Sequence, residues 1–184
     1  MAVSYATVDS QSMELTPMQV KWKAPGATDY VDLGGTLENV VLTFNYMKAE
    51  IKADQLGETV LDRRVSGLEI KVETALTEIK DKDIWKVVFP HATKTVNGSD
   101  VAIDFNSAVG DGDLTNAGEL VLHPLSVASD VTDYDYTFYK ACSSAESEIT
   151  YSPTEQATLK IVWNVLPDTT QTPAQFARFG SQNV

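Results

Sequence analysis

The 184-residue chain holds a single cysteine, Cys142, and two histidines, His91 and His123. One thiol excludes an internal disulfide framework, and three such groups leave too few ligands for a structural zinc site. Cations are also scarce: 14 Lys and Arg stand against 26 Asp and Glu, a net charge of −12. That balance argues against tight nucleic-acid binding, which sets lysines and arginines against phosphates. It leaves room for DNA to slide past, since like charge discourages sticking. No apolar run approaches the ~18 residues of a membrane-spanning helix. The opening "MAVSYATVDS" lacks a basic n-region and an apolar h-region, so folding in a cytoplasm is expected.

What is present is ordinary globular composition, 43% hydrophobic and 22% charged. The length suits one domain, spanning 1–184, with an N-terminal arm to about residue 29 and a C-terminal arm from about 168. Between the arms, period-two alternation dominates. In "TLENVVLTFNYMKAEIKAD", Val40, Leu42, Phe44 and Tyr46 share one face, with Val41, Thr43, Asn45 and Met47 opposite. In "RRVSGLEIKVETAL", Leu68, Ile70, Val72 and Thr74 oppose Glu69, Lys71 and Glu73, so one side is buried and the other wet. "DQLGET" lies between the two runs and supplies Asp54 and Gly57 for a turn, which predicts an antiparallel hairpin. Residues 40–51 make its first strand roughly 40 Å long at ~3.3 Å per residue. A lone domain of this size cannot cover such a hairpin along its whole length, and an uncovered edge invites pairing with another subunit; the alternative reading of the run is one bent strand, or two strands with a bulge.

Further along, charged early turns in "TEIKDKDIWKVVF" predict one short helix ending before Pro90. The Asn97-Gly98 pair in "TVNGSDVAIDF" predicts a second hairpin. "ELVLHPL", "YDYTFYKA" and "ATLKIVWNVL" read as three more strands. A helical turn is expected around Gln175 to Phe179. Six to eight strands with one short helix give a mainly β fold, an antiparallel sandwich or partly closed barrel bearing a long hairpin arm.

Motifs that could carry chemistry do not hold up. Gly34-Gly35 precedes a strand and lacks the spacing of a dinucleotide or P-loop site, so a turn is the better reading. "GDGDL" at residues 110–114 offers Asp111 and Asp113, but the register of a calcium loop is missing, and a solvated loop tip is expected. Asn97-Gly98-Ser99 matches a glycosylation acceptor, yet the hairpin turn explains it better. No serine sits in a nucleophile elbow, and His123 within "LVLHPL" reads as a half-buried strand residue. Neither catalysis nor a cofactor or metal is expected.

The segment "DLGGTLENVVLTFNYMKAEIKADQLGETVLDRRVSGLEIKVETALTEI" resembles the major tail tube proteins of long-tailed, siphovirus-like bacteriophages. Asp32, Leu33, Gly34, Asp54, Gln55, Gly57, Gly67, Glu78 and Ile79 carry the match, and "GELVLHPL" and "ATLKIVWNVLPD" resemble the family's later strands. The resemblance runs from about residue 30 to 168. It implies subunits in rings, commonly hexameric, that stack into a hollow conduit for DNA ejection, with long hairpins joined edge to edge around the lumen. It also implies partners such as tape measure and tail terminator proteins, no membrane, and a place in the virion tail after assembly in the host bacterial cytoplasm. On this reading Glu69, Lys71, Glu73, Asp54, Gln55 and Leu56 are candidate lumen or interface residues, and the acidic balance gives a negative lumen wall to which DNA does not adhere. The rival of another class is a monomeric β-sandwich binding module for adhesion or carbohydrate recognition. Such a module needs an exposed aromatic platform, whereas Trp22, Trp85 and Trp163 fall at expected core or helix positions.

Overall fold

The computed structural model describes residues 16–37, 39–107, 109–143 and 147–181. Among them the alternating segments become eleven strands: β1 (Met18–Lys23), β2 (Val31–Asp32), β3 (Val41–Lys52), β4 (Val60–Leu76), β5 (Thr93–Asn97), β6 (Asp100–Asp104), β7 (Gly118–Pro124), β8 (Tyr136–Cys142), β9 (Ser147–Thr150), β10 (Thr158–Val165) and β11 (Ala177–Phe179). Nine of them form one antiparallel sheet in the order β2-β1-β7-β8-β10-β4-β3, with β11 added to β8 and β9 to β10. β5 and β6 form a separate two-stranded sheet, joined through the two-residue loop Gly98-Ser99. The fold is mainly β, as the alternation predicts, and the sheet does not close into a barrel.

One sheet encloses a core because it curls. β7 and β8 separate β1 from β10, yet Trp22 of β1 and Trp163 of β10 meet with ring centroids 5.2 Å apart. Around this pair pack Val20, Ile70, Val72, Leu120, Leu122, Phe138, Leu159 and Ile161, all buried. The alternation in β10 holds along its length: Leu159, Ile161, Trp163 and Val165 point inward, and exposed Lys160 points out. The indole N–H of Trp163 donates to Thr74 Oγ1 at 3.1 Å, which lets a polar group sit in the core without an unmet hydrogen bond.

α1 (Lys82–Val88) closes one end, burying Ile84 and Val88, and the Asp81 side chain caps it by accepting from the Asp83 N–H. The structure adds a second helix beyond the one expected, α2 (Asp113–Asn116). "GDGDL" is therefore the entry to a helical turn and not a simple loop tip. In place of the helical turn expected around Gln175 to Phe179, Gln175 bridges Asp168 and Ala177–Phe179 form strand β11, whose backbone pairs with β8 while the Phe179 ring lies 4.5 Å from that of Tyr136. Within the segment expected as an N-terminal arm, β1 is an interior strand with Val20 and Trp22 buried. The first 15 residues of that arm lie outside the described residues.

The glycine pair is a turn. Gly34 adopts φ +82, a conformation that L side chains rarely enter, and its N–H donates to Asp32 Oδ1 at 2.9 Å. The Gly35 carbonyl accepts from both the backbone N–H and the hydroxyl of Thr77, each at 3.0 Å. Leu37 N–H then donates to the Ala75 carbonyl. The turn thus clamps the approach to β3 onto the far end of β4.

Candidate assembly surface

β3 and β4 form the hairpin that the alternation predicts, and β4 is longer than expected at 17 residues. The chain reverses through a 3-10 turn at Asp54–Leu56, and Gly57, at φ +58, supplies the left-handed step. β10 pairs with β4 only from Ile70 to Leu76. Among the described residues, β4 from Val60 to Glu69 has β3 as its only strand partner, and β3 is the terminal strand of the sheet. Among the described residues, the outer half of the hairpin is therefore a two-stranded ribbon with both edges unpaired. Such a ribbon is marginal alone in water.

Directly paired residues share a face, so the register assigns the two sides. On the face continuous with the core, Leu42 opposes Val72, Phe44 opposes Ile70 and Tyr46 opposes Leu68. Val72 and Ile70 are buried, but Phe44 is 48% exposed and Tyr46 57%. The apolar face therefore extends past the body that covers it. A register shift between Met47 and Lys48 leaves Ser66 as an extra residue in β4, and a one-residue bulge reverses which side chains share a face. Beyond it the same face carries Lys48 opposite Val65 and Glu50 opposite Arg63. Arg63 pairs with Glu50 at 3.3 Å, and Lys52 lies 3.0 Å from Glu58 and 3.8 Å from Glu50.

The opposite face holds three of the six sequence candidates. Glu69, Lys71 and Glu73 stand in line on β4, beside Asn45, Thr43 and Val41 of β3. Lys71 reaches Glu69 at 3.0 Å, and this hydrogen bond with its charge holds the Glu69 carboxyl below the usual glutamate range. Glu73 borders an open groove of about 590 Å³ that Glu148 and Lys160 also line. Asp54, Gln55 and Leu56 form the exposed tip at the far end of the hairpin. The structure thus brings the first three together and keeps the tip apart from them.

Sequence reasoning missed the Glu50–Arg63 pair, which becomes visible only once the bulge fixes the register. It also missed His123 with Asp135. His123 is fully buried, not half-buried: its Nδ1 lies 2.6 Å from Asp135 Oδ1, and its Nε2 is 3.4 Å from the Val127 carbonyl. The pair joins the end of β7 to the residue before β8. Cys142 is also buried, and burial, then the nearby Asp113 carboxylate, pushes its thiol up to about 11. Elsewhere, His91 stands 3.7 Å from Asp111 and 3.9 Å from Asp113. Among the described residues no helix is long and apolar enough to cross a membrane.

The fold is thus a curled antiparallel sheet with one uncovered hairpin, and it has known counterparts. The chain is similar to one in the "Cryo-EM structure of the anti-feeding prophage (AFP) baseplate, 6-fold symmetrised", at TM-score 0.55 and 7% identity, over 99% of this chain and 100% of that one. It also matches, at TM-score 0.44 and 10% identity, a chain of the "Tail of empty GTA particle computed with helical refinement, C6 symmetry", over 89% and 96% of the two chains. The first likeness establishes a shared fold; the second is too slight to argue from. No family model matches the sequence. No curated protein matches it either.

Proposed function

We propose that this protein is a structural subunit of a phage-type tail, a tube protein that assembles into stacked rings around a conduit for DNA and performs no catalysis. The observation that carries the reading is the uncovered hairpin. Phe44 and Tyr46 lie on the core-facing side of β3 with about half their surface in water, and a second copy is the covering that fits. The free edge of β3 in one copy and the free outer edge of β4 in the next can pair, which extends the sheet from subunit to subunit and leaves no edge once the ring closes. The fold shared with a chain of a six-fold symmetrised baseplate supports the same reading. If a neighbour covers the apolar face, the opposite face, with Glu69, Lys71 and Glu73, is left to line the conduit. The tip residues Asp54, Gln55 and Leu56 then meet the adjoining ring or subunit. Tail tape measure and terminator proteins are the expected heterologous partners, and the virion tail is the expected location.

A monomeric binding module is the weaker reading, since Trp22 and Trp163 are interior and the exposed aromatics Phe44 and Tyr46 lie on the hairpin with the unpaired edges. Negative-stain microscopy of the purified protein at rising concentration separates the two. Rings or hollow tubes of uniform bore are expected. The double substitution Phe44→Ser with Tyr46→Ser should leave the circular dichroism of the monomer unchanged and abolish the tubes. A wild-type protein that stays monomeric throughout overturns the proposal.

A further inference from the structure

The acidity expected of a conduit wall is not on the hairpin. Residues 41–76 hold five Lys and Arg against six Asp and Glu, a net of −1, which leaves −11 on the remainder of the chain. On the wet face of β4 the charges form a single file: Glu73, Lys71, Glu69, then, across the bulge, Arg64 and Asp62. Their signs alternate without exception. The bulge matters here, because without the extra residue Val65 and Arg63 would continue that face. The partners on β3 along the file, Val41, Thr43, Asn45, Met47, Ala49 and Ile51, are all uncharged, and so are Val162 and Asn164 of β10 beside Glu73 and Lys71.

We infer that this file is a charge-cancelled track past which duplex DNA moves without adhering, and that its carboxylates are what keep Lys71 and Arg64 from gripping phosphate. The inference rests on the tube reading for the identity of the traveller. Along Glu73, Lys71 and Glu69, and again between Arg64 and Asp62, successive charges are about 6.8 Å apart, so each cation has a carboxylate at that spacing, while uncharged Gly67 sets Glu69 about twice as far from Arg64. Opposite charges at that spacing cancel beyond about one spacing, within the ~8 Å over which physiological salt screens in any case. A passing polyanion therefore feels neither the attraction of the two cations nor the barrier of a uniformly acidic wall. Neutrality at the track replaces the negative wall that composition alone implied.

The test compares two full-length triple variants of equal net charge. Asp62→Asn, Glu69→Gln and Glu73→Gln strip the track of carboxylates; Asp100→Asn, Asp104→Asn and Asp130→Asn strip the body instead. Binding of a fluorescent duplex is read by anisotropy at ~20 mM and ~150 mM salt. The track variant should gain at least about tenfold in affinity at the lower salt and lose it at the higher, while wild type and body variant do not bind. Equal behaviour of the two variants, or tight binding by wild type, overturns the inference. If the track variant misfolds by circular dichroism, Glu69→Gln with Glu73→Gln is read against the same comparators. Assembly is followed separately by microscopy. Tubes with no gain in DNA binding defeat this inference and leave the tube reading standing, whereas a gain in a chain that never assembles supports the track and removes the tube.

Discussion

At the scale of single residues, two positions answer to measurable strain or burial. Gly34 occupies a left-handed conformation, and a Cβ built there would come within 2.4 Å of the Glu78 carboxyl carbon. Gly34→Ala should cost about 1–3 kcal/mol, part from the backbone and part from the collision. Adding Glu78→Ala should recover the second part only, which denaturant melts of the two variants would read. Cys142 titrates at about 11 against an ordinary 9.0, because burial penalises its thiolate. A folded pKa above the unfolded one means that the stabilisation is complete below pH 9 and is lost as pH rises toward 11. The stability of wild type minus that of Cys142→Ala should accordingly fall by about 2–3 kcal/mol across that window. Using the difference removes the lysines and tyrosines that titrate alongside. The turn at Gly34 is legible in sequence, but its closeness to Glu78 and the burial of Cys142 are not, since both depend on neighbours distant in the chain.

At the scale of elements, the hairpin has two halves of different standing. From Ile70 to Leu76, β4 lies between β3 and β10, and the core holds it. From Lys48 to Val65 the ribbon relies on its own ladder, its tip turn and exposed ion pairs, each contributing at most about 1 kcal/mol. Hydrogen exchange in the unassembled chain should therefore be fast over residues 48–65 and slow over 70–76. On assembly the outer half should become protected; outer amides that stay fast in tubes would show that the hairpin does not pair between copies. Most elements were legible in advance, because β10 and the inner half of β4 alternate cleanly, charged residues precede α1, and Pro90 and Gly98 punctuate the chain. β2, β9, β11 and α2 were not, since two to four residues carry no period, and neither was β1, whose "MQVKW" reads as part of a polar arm; the state of each is set by what it pairs with.

At the scale of the whole molecule, a net charge of −12 is a property of composition, but where it sits is a property of the fold. The hairpin is nearly neutral and the body carries the excess. Copies that meet through hairpins therefore meet where mutual repulsion is least. The remaining repulsion between bodies is screened over ~8 Å at physiological salt. Burial of Phe44, Tyr46 and their neighbours at ~25 cal/mol per Å² works in favour of contact. The same partition moves the candidate site: Glu69, Lys71 and Glu73 were picked out as charged, and the structure makes them part of an alternating file.

The amino-acid sequence by itself determined the class of fold, the hairpin and the two faces of its inner half, because a strand's side chains alternate whatever surrounds it. It also determined that Gly34 and Gly35 turn the chain, since the alternating run after them has a strand's period and not a helix's. Only the tertiary structure decided how far the body covers that hairpin, and hence that Phe44 and Tyr46 are left in water. Only the bulge at Ser66 decided that Arg64 and Asp62 continue the file begun by Glu73. Both depend on register between segments distant in sequence, and register is fixed by packing and pairing that no local pattern encodes.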